Sequence, residues 1–119
     1  MNVELSEITL PSQSEVKVEL TVTAPINVTA QSAQRQVSKL LLDQVGNLLY
    51  GERPNLVAGE KLWWRVPVWI ALPTTGPLGQ AGTLDVDAQS GEILYTQFIL
   101  DDIEARAHAL IERSSSSTR

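Results

Sequence analysis

The stretch from Lys61 to Leu72 constrains this chain more than any other. Its even positions, Leu62, Trp64, Val66, Val68, Ile70 and Leu72, are all apolar, while its odd positions read Trp63, Arg65, Pro67, Trp69 and Ala71. Successive side chains of a strand point to opposite faces. The pattern therefore predicts one β-strand with a continuous core face and a mixed, aromatic second face. Pro67 has no amide hydrogen to give to a ladder, so an edge or a bulge is expected on its side of the strand. A long apolar face must be covered, and the rest of the chain is read with that need in view.

The cover comes from the stretch Thr29 to Tyr50. Ala33, Val37, Leu40, Leu41, Val45, Leu48 and Leu49 repeat at steps of 4, 3, 1, 4, 3 and 1, which is one face of a helix. Thr29 or Ser32 serves as its N-cap, and Gly51 followed by Pro54 suits its end. Gly51 to Gly59 and Pro73 to Gln80 read as loops. Gly82 to Asp87 and Glu92 to Leu100 read as a hairpin around Ala88-Gln89-Ser90-Gly91, with Gly91 at positive φ. Asp101-Asp102-Ile103-Glu104 has the form of a capping box and opens a second, short helix.

Upstream, Val16, Val18, Leu20 and Val22 alternate with Lys17, Glu19, Thr21 and Thr23. That predicts a half-buried strand, paired as a hairpin of residues 15–24 with residues 2–10 across the turn Pro11-Ser12-Gln13-Ser14. Strand runs with only two helices imply an α+β fold rather than βαβ units. We expect an antiparallel sheet of four to five strands, a long helix packed on one face, and a short C-terminal helix. The 119 residues suit one domain, taken as 1–113, followed by a flexible polar tail, 114–119.

Composition narrows the chemistry. There is no cysteine and a single histidine, His108, which leaves out thiol catalysis, thiolate metal sites and any site built on two imidazoles. Fourteen acidic residues against nine basic ones give a net charge of −5, and the basic residues are scattered, which disfavours nucleic acid or an anionic membrane as partner. Neither a secretory leader nor an apolar span is evident, so a cytoplasmic location is expected.

No catalytic set emerges. Asp85, Asp87, Ser90 and Glu92 crowd one turn, but their spacing departs from a calcium loop, so they read as turn carboxylates. His108 lies between Glu104 and Glu112 at i,i+4 and reads as a surface pair. Of Asp101, Asp102 and Glu104, which could be read as a paired-carboxylate acid/base site, capping already accounts for two. We therefore expect no enzyme activity, no cofactor and no metal. What stands out is Trp63, Arg65 and Trp69 on one face of one strand, because Trp and Arg are enriched where proteins meet partners.

Val86-Asp87-Ala88-Gln89-Ser90-Gly91-Glu92-Ile93, following Trp64-Arg65-Val66-Pro67-Val68-Trp69, resembles the hairpin of PepSY-type domains. The resemblance covers roughly residues 33–98 and implies a small non-catalytic module that binds or inhibits a partner. The order of helix then strands is also similar to the cystatin-like architecture. The inhibitory motif of that group is not carried over, since Gln44-Val45-Gly46 falls in the predicted helix with different spacing. The functional expectation is a protein-interaction module that self-associates as a homodimer through the sheet, with Trp63, Arg65 and Trp69 as its surface. The alternative is a small-ligand or peptide binder with a pocket between helix 29–50 and the sheet, gated by loop 73–80.

Overall fold

The computed structural model describes residues 26–116. The expected hairpin of residues 2–10 and 15–24 lies outside the described residues, as do residues 117–119. The elements are α1 (Ala30–Gln44), β1 (Leu49–Gly51), β2 (Asn55–Ala58), β3 (Leu62–Leu72), β4 (Gly76–Asp87), β5 (Ile93–Leu94) and α2 (Gln97–Ser116). The five strands form one antiparallel sheet in the order β1-β3-β4-β5, with β2 also paired to β3. The fold is α+β, as the sequence predicts.

β3 is the centre of the sheet, not an edge. β1 and β2 lie end to end along one side of it, and β4 along the other. Pro67 is accommodated by a break in its neighbour. β1 pairs with Val68 to Ile70 and β2 with Leu62 to Arg65, so the missing amide faces the connection between them. Glu52 in that connection donates its N–H to the Pro67 carbonyl at 2.8 Å. A central strand thus tolerates proline because no N–H is needed there.

The even face of β3 carries the core. Val66, Val68 and Ile70 cluster with Val37 and Leu41 of α1, Leu84 and Val86 of β4, and Ile103 and Ala107 of α2. Both helices therefore lie on the same side of the sheet. α1 is capped by Thr29, whose Oγ1 accepts from the Ser32 N–H at 3.0 Å. It also seals the outer edge of β1. The Ser38 hydroxyl accepts the Gly51 N–H at 2.9 Å, and the Gln34 side-chain amide donates to the Gly51 carbonyl at 3.0 Å. Covering an edge in this way removes an invitation to strand pairing.

Several boundaries differ from the sequence pattern. α1 stops at Gln44 after 15 residues instead of running to Tyr50. The amides of Val45 and Gly46 both turn onto the Leu41 carbonyl, and Leu49 to Gly51 pair with β3 instead. Gly46-Asn47 holds the chain in helix weakly, so ladder pairing wins the residues that helical periodicity also fits. Residues 55–58 and 76–80, expected in loops, join the sheet, so no loop spans 73–80 to gate a pocket.

α2 is the longer helix, with 20 residues. It begins after Thr96, whose hydroxyl accepts from the Ile99 N–H, so the strand ends at Leu94 and Asp101 lies inside the helix rather than capping it. Asp101 accepts instead from the Gln97 side chain, and Asp102 pairs with Arg106. Ser114 and Ser115 belong to the helix. No helix among the described residues is long and apolar enough to cross a membrane.

Candidate interaction surface

Residues directly opposed in an antiparallel pair project to the same face. The register thus assembles the odd face from the strands upward. Trp63 stands beside Val57, Arg65 between Asn55 and Asp85, Pro67 beside Thr83, and Trp69 between Tyr50 and Gln80. Leu94, opposite Asp85, extends the face to β5 and is 59% exposed. Trp63, Arg65 and Trp69 are each half-buried. The structure brings these three together on one strand face, as the alternation predicts, and α2 does not cover them. It packs on the other side.

The face is two aromatic ends around an ionic centre. Trp69 follows Trp63 by six positions, about 20 Å along a strand. Between them Arg65 grips Asp85 with two bonds, Nε to Oδ1 at 3.0 Å and an Nη to Oδ2 at 3.3 Å. The planar guanidinium matches a carboxylate in this side-on form. Both partners remain partly in water, so the pair contributes about 0.2–1 kcal/mol rather than a buried ion pair's worth. At the Trp69 end, the Tyr50 hydroxyl titrates above its ordinary range. Burial is the main cause, followed by the charge of Glu52 and a hydrogen bond to it. The third tryptophan, Trp64, faces the helices and donates its indole N–H to the Val28 carbonyl at 2.7 Å.

The carboxylates of the 85–92 hairpin do not converge. Asp85 is engaged on the odd face. Asp87 folds into its own turn, accepting the Gln89 N–H at 2.8 Å and the Ser90 N–H at 3.2 Å. Those backbone donors, the Gln89 one foremost, hold its carboxyl below the ordinary aspartate range against an opposing contribution from burial, and Lys61 at 3.9 Å adds to the lowering. The Asp87 role is turn chemistry. Gly91, at φ 80°, supplies the positive φ expected of it. His108 stands 3.8 Å from Glu104 on the exposed side of α2. Among the described residues no three His, Asp or Glu side chains are grouped to hold a metal.

Two concavities bear on ligand binding. One, of about 140 Å³, opens where α1 ends, between Leu48, Leu49, Ala107, His108 and Ile111. That is under half the lower bound of about 300 Å³ for an ordinary ligand pocket. The other, about 350 Å³, lies beside Phe98 along β4 and α2, away from α1. Phe98 is 80% exposed. The sequence pattern places it in the returning strand of the hairpin, Glu92 to Leu100, and no periodicity distinguishes strand from helix for so short a run. Tyr50, Val57 and Leu94 were also missed as parts of the face, because only strand register reveals them.

Comparison with known protein families, with curated proteins and with solved structures finds no match to this chain.

Proposed function

We propose that the protein is a non-catalytic interaction module that self-associates as a homodimer through the odd face of its sheet. One observation carries this reading: both helices pack on the even face, so the odd face with Trp63, Arg65 and Trp69 is turned away from them. Tryptophan and arginine set in such a patch are the residue types that dominate binding energy. A second copy fits the charge arrangement. Two chains of charge −5 repel each other, but the face carries a donor and an acceptor side by side in Arg65 and Asp85. Across a two-fold axis the arginine of one copy meets the aspartate of the other, as an isologous interface requires.

The resemblance of the 86–93 hairpin to PepSY-type domains supports a binding role, and the lack of cysteine suits a reducing, cytoplasmic setting. The pocket alternative is less well supported, since the cleft at the end of α1 is small.

Sedimentation velocity over a wide concentration range tests the proposal. The wild type is expected to dimerise, and Trp63→Ala with Trp69→Ala to shift it to monomer while circular dichroism stays unchanged. A strict monomer at every concentration sinks the self-association reading.

A further inference from the structure

We propose that the edge of β4 beside Phe98 docks a short extended segment of a partner protein, one that is neutral or basic and carries a large apolar side chain. The site is at the edge of the sheet and not on the face between Trp63 and Trp69, so it stands apart from the self-association reading.

The first observation is the backbone of that edge. β5 pairs with β4 at Asp85 and Val86 alone, and the chain then leaves the sheet at Thr96 to begin α2. Among the described residues no strand lies beside the edge from Gly76 to Thr83. The direction of its backbone groups follows from Pro67. The Pro67 carbonyl accepts from Glu52, on the β1 and β2 side of β3. In an antiparallel ladder the N–H and C=O of one residue point the same way. Pro67 and Thr83 are thus a non-hydrogen-bonded pair, and the Thr83 N–H and C=O both point out from the sheet. Asp87 has the same parity, and its N–H donates outward to the Glu92 carbonyl at 2.8 Å. Thr83 therefore offers a donor and an acceptor just where β5 has stopped, and an added strand is what satisfies such a pair.

The second observation is a groove along the same edge. It holds about 350 Å³ and is walled by Gln80 and Thr83 of β4 and by Phe98, Asp102 and Arg106 of α2. The three helix residues recur every fourth position, so they form one stripe beside the strand. Phe98 is 80% exposed, and the other four are exposed as well. Asp102 and Arg106 bond each other at 2.8 Å and close that end of the groove with a neutral pair. An apolar side chain of the guest stacks on the Phe98 ring while its backbone meets Thr83.

The edge also limits the guest. β4 shifts register against β3 between Val68 and Trp69 and again between Ile70 and Ala71, and Pro77 has no N–H. Bulges and prolines keep a long ladder from growing on an edge. The guest is therefore short. A second copy is the poorer match, since it brings the same bulged edge and the same charge of −5. A neutral or basic segment of another protein avoids both.

A display library of random linear peptides, selected on the full chain, supplies the probes. Enriched peptides are expected to carry an aromatic or large aliphatic residue and no net negative charge. In ¹⁵N spectra their binding is expected to shift the Thr83 amide and to leave the Trp63 and Trp69 indole signals in place. Methylating the peptide's backbone nitrogens one at a time is expected to weaken binding about tenfold or more at alternate positions, as strand addition requires. Phe98→Asp is expected to weaken it likewise with circular dichroism unchanged, because that side chain is exposed. Failure to enrich any peptide overturns the proposal. So does binding that leaves the Thr83 amide in place, or that tolerates methylation at every position. The Trp63→Ala, Trp69→Ala chain is expected to bind the peptide as the wild type does, so the two readings fail separately. If the Thr83 amide of that chain instead shifts with protein concentration in the absence of peptide, a second copy takes the edge and the proposal falls.

Discussion

Gly82 is the position where one added carbon most directly tests the packing that places α2. A Cβ on Gly82 would lie 2.9 Å from Ile103 Cγ1 and 3.6 Å from Ile103 Cδ1. Carbon atoms in contact prefer about 3.5–4.0 Å. The first contact is therefore short by about half an ångström or more. Ile103 is 2% exposed and β-branched, so its Cγ1 cannot swing aside without a new rotamer in a filled core. Either the helix shifts or the side chain strains, and overpacking of this kind costs about 1–3 kcal/mol; a side chain at φ 157° adds backbone strain, which Gly79, at φ 158°, shares and Gly46 does not. At roughly 4 °C per kcal/mol for a domain of this size, Gly82→Ala is expected to lower Tm by about 4–12 °C.

Two companion variants give the scale. A Cβ on Gly79 would meet Leu110 Cδ2 at 3.2 Å, the far end of a flexible side chain, so Gly79→Ala is expected to cost less than Gly82→Ala. A Cβ on Gly46 would meet nothing within 4 Å, and Gly46→Ala is expected to stay within about 0.5 kcal/mol of wild type. Urea unfolding followed by tryptophan fluorescence and circular dichroism gives the three values. If Gly82→Ala is as stable as Gly46→Ala, then α2 does not depend on the missing side chain at Gly82. The account of why the helix lies on that face then falls.

Two further predictions concern titration. Because the Asp87 carboxyl is held below its unfolded value, its contribution to stability is complete above the unfolded aspartate range, near pH 4, and is lost as pH falls through the lower folded value. Asp87→Asn is expected to flatten the acid limb of a stability-versus-pH profile, and an unchanged limb refutes the role given to the turn. The Tyr50 phenol is expected to ionise above the ordinary tyrosine range in an ultraviolet titration. Glu52→Gln should bring it only part of the way back, since burial is the larger cause. A full return would reverse that order.

Much of the candidate surface is legible in the sequence. Alternation alone places Trp63, Arg65 and Trp69 together, because strand periodicity is local and does not depend on what the strand packs against. Its other members depend on register. Asp85 joins Arg65, and Tyr50 joins Trp69, only through which residues of neighbouring strands fall opposite. The end of α1 shows the same limit. Leu48 and Leu49 fit the helical stripe as well as a strand, and pairing with β3 decides between them. Thr96 and Asp101 are both competent caps, and the apolar contacts of Leu100 and Ile103 select the earlier one.

The sequence by itself determined that β3 has two distinct apolar-bearing faces, that helices must cover one, and that the 87–91 turn closes a hairpin. Only the tertiary structure decided that both helices share one face and that β3 is central. The reason is steric. Each helix carries an apolar stripe that would satisfy either side of a strand. Gly79 and Gly82 leave room beneath α2 on the even side, while two indoles stand on the odd side. That choice leaves Trp63, Arg65 and Trp69 facing away from the helices.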